Sequence, residues 1–257
     1  MRRRFLGCTW IGFVILLGME AGAQEAQQAQ RGWAQEEAQI SREIDAIGKN
    51  QVLALGDSLT YIMAGVTDDF PGLPDARLIN AGFIGMRTGE LLLRTQALLD
   101  RAHPWAVLLM VGTNDRAQVG RNGTAAWLRD YSAIVRLIER SGVVPILETV
   151  PPTARHGGFV GGAAGAMGIS AMNRAIRLLC QKDPHAVLVD LDPVLKGPDG
   201  FLPPGATDDG VHMDVAEYAK MAPLQRAGVQ RAEGMRLPRP GQVHSDSAGA
   251  TGRQAKE

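Results

Sequence analysis

Five short apolar runs, separated by longer amphipathic segments, constrain this chain more than any other feature. They are Val52–Leu55, Leu78–Ile79, Ala106–Val111, Val143–Leu147 and Ala186–Val189. Runs that are apolar throughout suit strands buried on both faces, as parallel strands are. Between them, Leu128, Tyr131, Val135 and Ile138 recur at helical spacing, and so do Met172, Ile176 and Leu179. Asp214 followed by Glu217 resembles a capping box and marks the start of a last helix. Strand and helix in alternation imply an α/β protein, a three-layer α/β/α stack on a five-stranded parallel sheet with right-handed crossovers.

Three segments lie outside that alternation. Residues 24–49 are rich in Gln, Ala and Glu, with Trp33, Ile40, Ile44 and Ile47 at helical spacing, and are expected to form a helical lead-in laid against the domain of residues 50–229. Residues 153–168 hold six glycines and are expected to form a long loop after the fourth strand. Residues 230–257 carry few large apolar side chains and are expected to be a disordered tail.

The first residues read as an export signal. Arg2-Arg3-Arg4 form a positive n-region, Phe5 to Met19 an apolar h-region, and Ala21-Gly22-Ala23 a small-residue cleavage site. An uncleaved anchor is the alternative, but the apolar run is short and ends at Glu20, so cleavage before Gln24 is preferred. The expected location is periplasmic or secreted, with no stable membrane insertion after cleavage. Leu6-Gly7-Cys8 faintly resembles a lipoprotein box, yet almost no apolar stretch precedes it. Loss of Cys8 with the signal leaves Cys180 alone, so the mature fold has no intramolecular disulfide and rests on its core. Lys plus Arg and Asp plus Glu both number 27, and aromatics make up 5% of the chain, which together argue against a nucleic-acid partner.

The chemistry-bearing residues gather where strands should end. Gly56-Asp57-Ser58-Leu59-Thr60 follows the first run, and Asn80-Ala81-Gly82-Phe83-Ile84-Gly85 ends the second. Gly112-Thr113-Asn114-Asp115 follows the third, and Asp209-Gly210-Val211-His212 precedes the last helix. Open α/β sheets build their sites at this carboxyl edge. Ester cleavage by a serine needs a base, a group that orients the base, and donors for the oxyanion. Of five histidines, His103 and His185 precede strands, on the wrong edge, and His244 lies in the tail. His156 is at the correct edge and stays open on position. His212, with a carboxylate three residues upstream, is the best base. Each of these residues has a plain alternative: Asp209 in turn chemistry, Asn114 as a cap, Gly85 in a tight turn.

In order and spacing the four blocks resemble the SGNH (GDSL-type) hydrolase family, over residues 51 to about 225. The resemblance implies a flavodoxin-like sheet, no cofactor and no metal. It implies Ser58 as nucleophile, His212 as base and Asp209 as its orienting acid. It implies an oxyanion hole from the Ser58 amide, the Gly85 amide and the Asn114 side chain. The N-x-x-x-x-G spacing selects Gly85 over Gly82. Met86-Arg87 stands where many members carry an acidic residue, a departure in the pocket lining.

Rival signatures are absent: no G-x-S-x-G elbow, P-loop, G-x-G-x-x-G or H-E-x-x-H, and no zinc-ligand spacing. The expectation is an exported serine esterase acting on short acyl, above all acetyl, esters of small molecules or carbohydrate, with exopolysaccharide one such substrate. A polysaccharide O-acyltransferase would use the same triad, and a non-catalytic glycan-binding protein would need none of it.

Overall fold

Strand and helix alternate along the chain in a computed structural model that describes residues 8–63, 70, 72–73, 75–156 and 162–236, with side chains from residue 28 onward. The elements run α1 (Cys8–Ile47), β1 (Val52–Gly56), α2 (Ser58–Ile62), β2 (Leu78–Gly82), α3 (Thr88–Ala102), β3 (Ala106–Met110), then a 3-10 turn (Thr113–Asp115). They continue with α4 (Arg116–Asn122), α5 (Ala125–Arg140), β4 (Val144–Glu148), α6 (Gly162–Lys182), β5 (Val187–Val189), α7 (Asp192–Leu195) and α8 (Val215–Glu233). Arg2-Arg3-Arg4 and His244 lie outside the described residues.

The five strands pair in parallel in the order β2-β1-β3-β4-β5. Side chains alternate between two cores. Leu53, Leu55, Val107 and Leu109 pack with Trp33, Ile40, Leu91, Tyr131 and Met172 from the helices on one face. Val52, Ala54, Leu108 and Ile146 pack with Leu59, Tyr218, Met221 and Val229 on the other. That two-sided burial is why the runs are apolar at every position. In α5 the buried stripe includes Trp127 at 4% exposure, while the expected Leu128 is half-buried.

Several expected boundaries move: β2 runs on to Gly82, and the lead-in helix α1 starts at Cys8. Helix α6 begins at Gly162, so residues 162–168 are helical and not loop; Gly157, Gly158 and Gly161 lie outside the described residues. The glycines there serve close packing. A Cβ at Gly168 would lie 1.8 Å from the Arg116 carbonyl oxygen, and one at Gly120 only 1.7 Å from that of Ala164. Helices α4 and α6 therefore touch backbone to backbone, which no side chain at those positions would allow. At the other end, α8 continues through Gln230 to Glu233 because Val229 and Ala232 still face the core. The Asp214 side chain caps it by accepting from Glu217 N–H, while the Glu217 carboxylate turns to Lys220. Residues 237–257 of the expected tail lie outside the described residues.

Candidate active site

The strand order reverses between β1 and β3, and the crevice at their carboxyl ends collects the blocks named from sequence. Ser58 opens α2 immediately after β1 and is 5% exposed. A Cβ on Gly56 would sit 2.2 Å from the Met110 carbonyl oxygen, and one on Gly82 would sit 2.2 Å from the Tyr61 nitrogen. Both glycines thus let α2 start hard against the strand ends, which fixes the serine.

His212 Nε2 lies 2.9 Å from Ser58 Oγ, and His212 Nδ1 lies 2.5 Å from Asp209 Oδ2. Asp209 Oδ1 accepts from the N–H groups of Val211 and His212, each at 2.8 Å. The acid therefore folds its own turn and holds the histidine's ring at once. Burial pushes the Asp209 carboxyl up, but the His212 side-chain bond, the two backbone N–H bonds and the His212 charge outweigh it and hold the pKa down to about 2. Asp208 next to it is exposed. Of the remaining histidines, His103, His156 and His185 are exposed and none of their side chains joins this cluster.

Gly85 sits in the turn after β2 with φ +73°, a conformation that favours glycine. Asn114 lies in the 3-10 turn after β3, and its Nδ2 donates to the Met86 carbonyl at 2.9 Å, so block three is tied to block two. A side-chain amide carries two N–H donors, and this bond uses one. Among the described residues, no backbone acceptor takes the N–H of Ser58 or Gly85. Three donors thus remain for a ligand at this edge.

Two supporting residues were not assigned a role from sequence. Asp57 is fully buried; its Oδ1 accepts from Leu59 N–H at 3.0 Å and its Oδ2 from Thr113 N–H at 3.2 Å. It caps α2 and straps the serine's turn to the asparagine's. Burial pushes its pKa up to about 6, against those hydrogen bonds. Arg116, 8% exposed, bonds the Thr113 carbonyl, and the charges of Asp57 and Asp209 bear on it. Asp57 had a signal in its place inside the block; Arg116 had none, since a basic residue opening a helix is ordinary. Among the described residues no group of three or more His, Cys, Asp or Glu is placed to hold a metal, and no helix is long and apolar enough to cross a membrane.

A serine, a histidine and an aspartate joined in series at the carboxyl edge of a parallel sheet define an α/β serine hydrolase. The family profile of the GDSL-like Lipase/Acylhydrolase family matches residues 54–220, and the chain belongs to that family. It is an ester-hydrolysing enzyme. Solved structures share its fold. A GDSL-like lipase from Bacteroides thetaiotaomicron superposes with TM-score 0.61 at 20% identity, over 80% of this chain and 100% of that one. An acetyl xylan esterase gives 0.56 at 21% identity, over 70% and 99%. A carbohydrate acetylesterase family member from Sinorhizobium meliloti gives 0.54 at 21% identity, over 72% and 99%. No sequence among the curated proteins matches the chain.

Proposed function

We propose that this chain is an exported esterase that removes short acyl groups, acetyl foremost, from carbohydrate, with Ser58, His212 and Asp209 as its catalytic triad. The observation that carries the reading is the unbroken series of contacts from Asp209 through His212 to Ser58. Ser58 Oγ attacks the ester carbonyl while its proton passes to His212 Nε2. Asp209 holds Nδ1–H and thereby the tautomer that leaves Nε2 free to accept. The oxyanion takes hydrogen bonds from the Ser58 N–H, the Gly85 N–H and the spare Asn114 N–H, each donor worth about 10²–10³ in rate. The imidazolium returns its proton to the departing alkoxide. Water, deprotonated by the same Nε2, then attacks the acyl-enzyme and frees the acid and Ser58.

Support for a carbohydrate comes from a cleft of about 500 Å³ between α4, α6 and the turn at residues 197–201. Its walls mix the polar Thr153, Ser170, Arg174 and Lys196 with the apolar Val119, Met167, Ile169 and Phe201. A mixed wall of that kind offers hydrogen-bonding groups to hydroxyls and apolar ones to a sugar face. None of the triad or oxyanion-hole residues lines the cleft; the link to them runs along the chain, from Thr153 in its wall to Ala154, whose N–H donates to the Gly210 carbonyl, one residue from Asp209. Acetyl xylan and carbohydrate acetylesterases of the same fold agree with that choice. Removal of residues 1–23 on export would leave Trp33, Ile40 and Ile44 in place on the core, and N-terminal sequencing of exported protein checks the cut.

The test pairs a fluorophosphonate probe with a hydrolysis panel. Ser58 should be the labelled residue, and labelling that persists in Ser58→Ala overturns the assignment. On the panel, acetyl esters and acetylated xylan or cellulose should exceed long-chain acyl esters; the reverse order would overturn the substrate class.

A further inference from the structure

Helix α1 lies outside the stretch that matches the family, yet two of its side chains reach the backbone of the turn that carries Gly85. Trp33 Nε1 donates to the Ile84 carbonyl oxygen at 2.9 Å. Glu36 Oε1, one helical turn on, accepts from the Ile84 N–H at 3.3 Å. The Ile84 carbonyl and the Gly85 N–H belong to one planar peptide group, in which they point in opposite directions. Holding the carbonyl toward α1 therefore aims the Gly85 N–H the other way, into the crevice. The preceding peptide is pinned through its own N–H, so neither plane is free to rotate.

We propose that Trp33 and Glu36 are positioning residues for the oxyanion hole, and that the lead-in helix is a working part of the esterase rather than a spacer. The proposal rests on the reading of Gly85 as an oxyanion donor. The physical need is plain. Gly85 has no side chain to anchor it, its neighbour Ile84 is 55% exposed, and a glycine at positive φ has many alternative conformations. An oxyanion hole acts through donors fixed before the reaction, so a turn free to flip its peptide would lose most of its effect. The far side of the turn is already held, by Asn114 to the Met86 carbonyl and by Phe83 N–H to the Gly56 carbonyl. The α1 side chains complete the hold at the peptide that matters. Donation by the indole to the carbonyl also polarises the N–H of the same peptide, which makes it a better donor.

Trp33 is itself fixed. It is 9% exposed and joins the core with Ile40 and Ile44, and the Arg94 guanidinium stacks over its ring at 4.9 Å. Arg94 also pairs with Glu37 at 2.9 Å. Burial raises the Glu36 carboxyl above its usual range, against its bond from Ile84.

Trp33→Phe keeps the ring and its packing but deletes the donor. Its kcat on a short ester should fall roughly ten- to hundredfold with KM little changed, since the lost interaction serves the transition state. Affinity for a boronic acid, which forms a tetrahedral anion on the serine, should fall in parallel. Glu36→Ala should behave likewise, and Glu36→Gln, which retains an acceptor, should recover most of the rate. Asp45→Asn, nine residues beyond Glu36 on α1, weakens the helix's pair with Arg101 without touching Trp33, Glu36 or Arg94 and should leave kcat unchanged. A wild-type kcat in Trp33→Phe, or an equal loss in Asp45→Asn that tracks a lowered Tm, would overturn the proposal. Ser58→Ala separates the two readings: hydrolysis surviving that change condemns the triad, whereas its loss beside an unaffected Trp33→Phe condemns the brace alone.

Discussion

Asp208 and Asp209 are neighbours of the same type with different fates. Successive side chains in a turn diverge, and here Asp209 meets His212 Nδ1 at 2.5 Å while Asp208 is exposed. Asp209→Asn should cut kcat severely, toward the ~10⁴ known for the serine protease triad, because an amide can hold the imidazole in the wrong tautomer. Asp208→Asn should keep most activity and change stability by about 1 kcal/mol at most. Assays of both variants on one ester at one pH decide it, and a crippled Asp208→Asn would show the register to be off by one. The Asp209 pKa of about 2 lies below the ~3.9 of an unfolded aspartate. Its ordering of the turn is therefore fully present above about pH 4 and is lost as the pH falls toward 2.

Glycine in a helix is usually a weakness, and this chain has both the usual case and its opposite. Gly32 lies inside α1 with nothing within 4 Å of where its Cβ would be. Gly32→Ala should stabilise the protein by about 0.5–1 kcal/mol through helix propensity. Gly168 lies inside α6, where a Cβ would meet the Arg116 carbonyl oxygen at 1.8 Å and its carbonyl carbon at 2.7 Å. Backbone cannot step aside as a side chain can, so Gly168→Ala should destabilise by roughly 1–3 kcal/mol. It should also slow the enzyme, because Arg116 directly follows the turn that carries Asn114. Denaturant melts of the two variants give the signs, and equal signs would contradict the helix contact.

Across the whole molecule, burial of carboxyl groups sets how stability varies with pH. Glu148 ends β4 in the core at 1% exposure; burial pushes its pKa up to about 7, although Gln225 Nε2 donates to its Oε1 at 2.9 Å. Asp57 is raised the same way, to about 6. A carboxyl that binds its proton more tightly when folded favours the fold most below its unfolded pKa, near 4. That advantage fades as the pH rises through 6 and 7. Glu148→Gln keeps an acceptor for Gln225 and removes the ionisation. It should be more stable than the parent at pH 8 by about 1–3 kcal/mol, with the gap closing by pH 4. Urea melts at pH 4, 6 and 8 measure this, and a gap that does not change with pH would rule out Glu148 as its source.

Apolar runs and block spacing were enough to place every strand's start within a residue, the parallel sheet, and the pairing of Ser58 with His212 and Asp209; the end of β2 lies three residues past Ile79, where Asn80 and Gly82 carry no apolar signal. These features are local or periodic: burial on both faces makes a strand apolar throughout, and a D-x-x-H turn brings its own two side chains together. The start of α6 was not legible, because glycine has one composition for two uses. Whether Gly168 frees a loop or admits a neighbouring helix depends on the Arg116 backbone, more than fifty positions earlier. The roles of Trp33 and Glu36 were equally hidden. In sequence they are one apolar and one polar position of an amphipathic helix, and their bonds to Ile84 cross about fifty residues. What each residue can do chemically is written in the chain, whereas which backbone atoms it will meet is decided by how the layers close.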